Sequence, residues 1–195
     1  MEINPVILEG AVVRLEPLSL SHLKALCRVG FDPEIWRLTI STVHDEGGMT
    51  SYIQAALKAQ TEGSALPFVI VERASKTIVG STRYMNIDAP NRKLEIGSTW
   101  LARQWQRTAV NTEAKYLLLR HAFEELRFNR VEFKTDVLNE KSRNALLRIG
   151  AKQEGIMRKH LITQTGRVRD SVFFGIIDSE WPDVKRKLEE KLRRS

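Results

Sequence analysis

Apolar residues recur along the middle of the chain with helical spacing. Val110, Ala114, Leu117, Leu118, His121 and Ala122 fall at i, i+4, i+7, i+8, i+11 and i+12, and together make one apolar helix face. Glu113, Arg120, Glu124 and Arg127 fall on the opposite side. The preceding segment, from Trp100 through Arg107, reads as the end of a strand followed by a short basic turn. On the C-terminal side RVEFKTD sets Val131, Phe133 and Thr135 in alternation with charged residues, the period of a half-buried strand.

The same reading extends in both directions. Ala11–Leu18 alternates well enough for a first strand that Pro17 ends. Ser19 or Ser21 is placed to cap a helix through Cys27, and Asp32-Pro33 predicts a second helix start. After a break at HDEGG, Ser51 and Gln54 have capping-box spacing, with Ile53, Ala56 and Leu57 as the buried face of a third helix. From Pro67 the period changes. PFVIVER and TIVGSTRYMNI flank Ala74-Ser75-Lys76 as a hairpin, and LEIGSTWLA follows a turn at Ala89-Pro90-Asn91. Asn139 is positioned to cap a short helix carrying Ala145, Leu146 and Ile149, which Gly150 stops. Two strands, Met157–Thr163 and Val168–Ile177, enclose a turn at Gln164-Thr165-Gly166. The predicted fold class is α+β, with a mixed, mostly antiparallel central sheet flanked by helices on both faces. The helix between LEIGSTWLA and RVEFKTD makes those strands parallel neighbours through a right-handed crossover.

Length and charge narrow the classes. The 195 residues fit one domain over 1–195, with no repeat or linker dividing it. No apolar run approaches the length of a bilayer span, and MEINPVILEG lacks a basic region followed by an apolar stretch, so a cytoplasmic protein without a membrane partner is expected. Cys27 is the single cysteine and reads as a small core residue; no Cys/His cluster has metal-ligand spacing, so no metal is expected. The formal net charge of +7 favours an anionic partner. The tail KRKLEEKLRRS is mixed in sign and reads as a solvated helix face.

The basic turn is the clearest candidate for chemistry. A strand ending at the mouth of a helix leaves unpaired backbone N–H groups pointing outward, reinforced by the helix dipole. Arg103 and Arg107 lie in that turn, a setting suited to a phosphate or pyrophosphate. A helix packed on a sheet, with a solvated turn that happens to carry arginines, would show the same pattern.

LEGAVVRLEPLSLSHL, IVGSTRY, LEIGSTWLARQWQRTAVNTEA, NEKSRNALLRIGAKQEGIMR and RVRDSVFFGI occur in an order and spacing that resembles the GNAT superfamily of acetyl-CoA-dependent N-acetyltransferases, most closely its RimJ/RimL-type branch. The resemblance covers nearly the whole chain. It implies a V-shaped opening between two parallel strands, with the pantetheine arm of acetyl-CoA bonded near Trp100 and Leu101. The pyrophosphate would rest on the following turn, which makes Arg103, Gln106, Arg107, Thr108, Ala109, Val110, Asn111 and Thr112 candidate cofactor contacts. Ala109 stands where the family usually has glycine, and Asn111 where it has glycine or alanine. Glycine is required there only if φ is positive or a Cβ would collide with the ligand.

Acetyl transfer to an amine needs a neutral nucleophile, donors for the tetrahedral oxyanion and a proton for the leaving thiolate. By resemblance to RimL-type enzymes, Asn139 would hold the pantetheine arm and Ser142, three residues on, would protonate the thiolate. A structural reading competes, in which Asn139 only caps a helix and Ser142 bonds nearby backbone. RimL-type enzymes carry a glutamate on a late strand; Ile162 lies near its place, which leaves His160 and Glu95 as candidate bases. Each also has a structural reading. His121 reads as a core histidine, whereas Trp36, Tyr52 and Tyr84 are core residues or the walls of an acceptor pocket. The resulting expectation is transfer of an acetyl group to a primary amine, on a protein N-terminus or a small molecule, by direct attack in a ternary complex. The alternatives are a non-catalytic acyl-CoA-binding protein and, on charge alone, an RNA- or ribosome-binding module, although no nucleic-acid motif appears. A second copy of the chain is a candidate partner through an exposed strand edge or the tail helix.

Overall fold

The computed structural model describes residues 3–194. Strands β1 (Leu8–Glu9) and β2 (Val13–Pro17) precede helices α1 (Leu23–Gly30), α2 (Pro33–Trp36) and α3 (Glu46–Thr61). An antiparallel meander follows, of β3 (Leu66–Glu72), β4 (Thr77–Asp88) and β5 (Lys93–Leu101). Helix α4 (Ala109–Arg120) leads to β6 (Arg130–Asp136), and α5 (Glu140–Arg148) leads to β7 (Lys152–Ile162), β8 (Val168–Ile177) and α6 (Trp181–Arg193). The strands form one sheet in the order β1-β2-β3-β4-β5-β6-β8-β7. The β5–β6 pair is parallel, as the α4 crossover predicts, and the other neighbours run antiparallel. The α+β mixed sheet therefore stands.

Each face of the sheet has its own core. Leu117 and Leu118 of α4, with Val184 and Leu188 of α6, pack against Phe68, Ile96, Val131 and Phe133. On the other face Leu26, Met49, Ile53 and Ala56 pack with Trp36 against Val69 and Trp100. His121 is a core histidine: its Nδ1 lies 3.1 Å from the hydroxyl of Tyr84, and the two rings stack with centroids 5.9 Å apart.

The β5–β6 pairing is short. Lys93, Leu94 and Glu95 register with Arg130, Val131 and Glu132, and there the ladder stops, although β5 runs on to Leu101 and β6 to Asp136. On its other side β5 stays bonded to β4 as far as Gly80–Leu101, with register shifts on the way. Ser98 takes a left-handed φ of 47°, a bulge geometry that bends a strand and raises its local twist. Gly80 admits the close approach of the two strands: a Cβ there would lie 2.0 Å from the carbonyl oxygen of Trp100. Thus β5 follows β4 and leaves β6.

Several expectations are corrected. The first strand spans Val13–Pro17 and is joined by β1, which the alternation did not suggest. Glu113, on the side of α4 away from its apolar face, is buried beneath this hairpin and accepts from the amides of Ala11, Val12 and Val13 at 2.9, 2.6 and 2.6 Å. Helix α3 starts before the predicted box: Asp45 is its N-cap and accepts from Gly48 N–H at 2.7 Å, while Ser51 donates to the carbonyl of Gly47. Asp45 satisfies an orphan donor, and Met49 begins the buried face, so the glycines lie inside the first turn. The penultimate strand begins at Lys152, ahead of Met157. The tail helix is solvated on one side only, since Trp181, Val184 and Leu188 are buried.

Candidate active site

Where β5 and β6 separate, a cavity of about 630 Å³ opens. It is bounded by β5 from Glu95 to Leu101, by Phe133–Thr135 of β6, by α2 and by the first turns of α4 and α5. The backbone edge of β5 beyond Glu95 has no ladder partner on the β6 side. Such groups require water or a ligand. Trp100 and Leu101 lie along this edge and line the cavity.

Arg103, Gln106, Arg107 and Asn111 carry the lining on to the start of α4. Gln106 ties the turn to the strand by donating from Nε2 to the carbonyl of Leu101 at 3.0 Å. Arg107 has φ 63°, so the left-handed position of this turn is an arginine. Ala109, by contrast, is the first residue of the α4 helix, where an L side chain meets no strain. The absence of glycine at Ala109 and Asn111 therefore leaves the backbone course of the turn intact. Thr108 is the N-cap: its hydroxyl donates to the carbonyl of Trp105 at 2.8 Å and accepts from Val110 N–H at 3.3 Å. Among the described residues, the amides of Arg107, Thr108 and Ala109 have no protein acceptor. The side chains of Thr108, Ala109, Val110 and Thr112 do not line the cavity, so their part is confined to the backbone and to packing. The result is a helix N-terminus with free donors beside two guanidinium groups, a setting suited to an anion.

On the opposite wall Asn139 and Ser142 both line the cavity. Asn139 Oδ1 accepts from the backbone N–H of Ser142 at 3.0 Å and caps α5. That bond uses the amide of Ser142 and leaves its hydroxyl outside the cap. Capping and an approach to the cavity therefore coexist at this turn.

The two candidate bases are placed differently. Glu95 lines the cavity, but its Oε2 accepts from Asn86 Nδ2 at 2.8 Å and from Lys134 Nζ at 3.2 Å, and the side chain is almost wholly enclosed. His160 lies on β7, where its ring packs edge-on against Phe173; it is not among the cavity-lining residues. Burial lowers its pKa, helped by the charges of Lys134 and Arg169 and opposed by Glu95. Tyr84 is fully buried and donates to the carbonyl of Leu118 at 2.6 Å, so it belongs to the core and forms no part of an acceptor pocket. Trp36 and Tyr52 do line the cavity, stacked edge to face with centroids 5.6 Å apart.

One residue of the site was missed. Lys115, on α4, is 5% exposed, lines the cavity, and donates from Nζ to the Thr99 hydroxyl at 2.7 Å. Burial pushes its pKa down from 10.5 to about 7, against the opposing pull of Glu95. The signal was its position one turn after Asn111 and one turn before Leu118 and Leu119, at the margin of an apolar face wider than the periodicity indicated.

Residues 13–152 match the family model described as an acetyltransferase (GNAT) domain. YdaF of Bacillus subtilis (strain 168), provisionally named a ribosomal N-acetyltransferase, is 38% identical over 109 residues. That match takes in 56% of this chain and 58% of YdaF, a little over half the length of that relative. A crystal structure of a provisionally assigned acetyltransferase from T. thermophilus is 38% identical and superimposes with a TM-score of 0.90 over 98% of this chain and 100% of that one. Mycobacterium smegmatis RimJ, solved in complex with CoA-disulfide, is 23% identical and shares the fold, with a TM-score of 0.78 over 96% of this chain and 93% of its own. These likenesses agree with the branch suggested by the sequence motifs, and among the described residues no cluster of side chains could hold a metal ion and no helix is long and apolar enough to cross a membrane. The chain belongs to the GNAT family of acetyl-CoA-dependent N-acetyltransferases.

Proposed function

We propose that this protein transfers the acetyl group of acetyl-CoA to a primary amine by direct attack in a ternary complex. The observation that carries the reading is the cavity at the parted ends of β5 and β6, closed at one end by the free amides of the α4 turn. In this reading the pantetheine arm completes the unpaired edge of β5 near Trp100 and Leu101, and the pyrophosphate takes the amides of the turn with Arg103 and Arg107. Asn139 holds the arm from the α5 side. Ser142, whose hydroxyl stays clear of the helix cap, protonates the departing thiolate. The acceptor enters past Trp36 and Tyr52. Holding both substrates in one enclosed cleft supplies much of the acceleration.

Protein N-termini and small-molecule amines both meet these requirements, and the similarity to YdaF, provisionally named a ribosomal N-acetyltransferase, favours a ribosomal acceptor. Thiol release from acetyl-CoA, measured with a panel of N-terminal peptides, polyamines and amino acids, tests the reading. Release that depends on the amine is expected; saturable binding without release for any amine would make the protein an acyl-CoA binder instead.

A further inference from the structure

Lys115 is unlike the other charged groups around the cavity. Its Nζ is enclosed, its hydrogen-bond partner is the neutral Thr99 hydroxyl at 2.7 Å, and the Phe133 ring lies 5.8 Å away. Thr99 shares a further hydrogen bond with the hydroxyl of Thr82 at 2.7 Å. Among the described residues no carboxylate pairs with Lys115. The carboxylate acting on it, Glu95 of β5, is already engaged by Lys134 of β6 and by Asn86 of β4. From β8, Arg169 lines the same cavity; from the α4 turn, Arg103 and Arg107 do. A lysine held this way loses its proton readily, because burial penalises the ammonium and nothing of opposite charge touches it. Its free-amine form is then abundant near neutrality.

Resting on the acetyltransferase reading above, we propose that Lys115 is the proton acceptor of the cleft, taking the proton shed by the acceptor amine either directly or through the Thr99 hydroxyl. Attack forms the new C–N bond, and collapse breaks the C–S bond of the thioester. The nitrogen gives one proton to Lys115 Nζ, and the thiolate receives one from Ser142. The ammonium of Lys115 then passes its proton through solvent to the serine oxygen, which restores both groups. Glu95 is less suited to this step because Asn86 and Lys134 occupy it, and His160 lies off the cavity wall.

The test compares wild type with Lys115→Met and Lys115→Arg, the latter keeping a cation that does not exchange its proton in this range. Wild-type kcat, which reports groups in the ternary complex and not the free acceptor amine, should rise with pH through an inflection near 7. Both variants should lose that inflection, with kcat down by roughly 100-fold or more and calorimetric acetyl-CoA affinity changed by no more than a few-fold. A second readout needs no turnover: in protein labelled with 13C at lysine Cε, one resonance should titrate near 7 and be missing from the spectrum of folded Lys115→Arg. Variants that keep the wild-type rate and inflection would overturn the proposal. So would a Lys115 resonance titrating at an ordinary lysine value, or an acetyl group found on Lys115 by mass spectrometry, which would make it a nucleophile. A wild-type protein that binds acetyl-CoA and releases no thiol with any amine would sink the transfer reading itself, and the proton-acceptor role with it.

Discussion

The two ends of the β5–β6 pair are built from the same strands and are put to different uses. At the closed end Leu94 and Val131 are 1% and 0% exposed, and parallel ladder bonds join Lys93–Glu95 to Arg130–Glu132. At the open end the backbones part, and the space between them is lined by Thr99, Lys115, Asn139 and Ser142. The closed end satisfies its backbone internally and fills the interior with carbon. The open end leaves backbone groups without partners and encloses an amine that has no counter-ion, both unfavourable unless something binds there. The packed core and the candidate site are thus separated along one pair of strands, with the Ser98 bulge near the point of division.

Four substitutions bear on that division. Leu94→Ala, at the closed end, should lower the unfolding free energy by about 3 kcal/mol through the lost burial and the cavity left behind. Chemical denaturation measures it, and acetyl-CoA affinity should hardly move. A matching loss of affinity would show that the two ends are not independent. Ser142→Ala, at the open end, should slow kcat on the order of 100-fold with little change in stability, because the α5 cap uses the serine amide and survives. An unaltered rate would remove Ser142 from the mechanism.

Lys115→Met should stabilise the fold by roughly 2 kcal/mol near neutral pH, a rise of about 5 °C in Tm. The sign follows from the lowered pKa. The unfolded chain takes up a proton at Lys115 below its ordinary value of 10.5, while the folded chain resists until about 7. The penalty is therefore absent at high pH, grows as pH falls through that window, and is complete below it. Tm measured against pH should show the two proteins converging on the alkaline side. The smallest effect is expected for Arg107→Ala, which should weaken acetyl-CoA binding by about 1 kcal/mol and make it less sensitive to salt. Equal affinities at low and high salt in wild type would deny Arg107 a role in holding the pyrophosphate.

What could be read in advance was whatever depends on local periodicity and local chemistry. The Asp32 cap and the Asn139 cap are each written within about one turn of chain, the α4 face in its own period and the parallel crossover in the strand–helix–strand order, and each stands in the structure. Contacts distant in sequence were not legible. Glu113 is polar by pattern yet buried, because the amides of Ala11, Val12 and Val13, a hundred residues away, need an acceptor. Lys115 hid for a related reason. A lysine beside an apolar stripe normally extends its ammonium to water, and only the gap beyond Glu95 gives this one an enclosed place to go. The α3 start shows a third cause: Ser51 and Gln54 have capping-box spacing, but the buried face already begins at Met49, ahead of Ser51, and Asp45, which precedes it, takes the cap.

The central claim is that the opening between β5 and β6 takes the arm of acetyl-CoA, and calorimetric titration of the wild-type protein with acetyl-CoA tests it most directly. The account predicts saturable one-site binding with a dissociation constant between about 1 μM and 1 mM. No heat of binding at millimolar acetyl-CoA would contradict it.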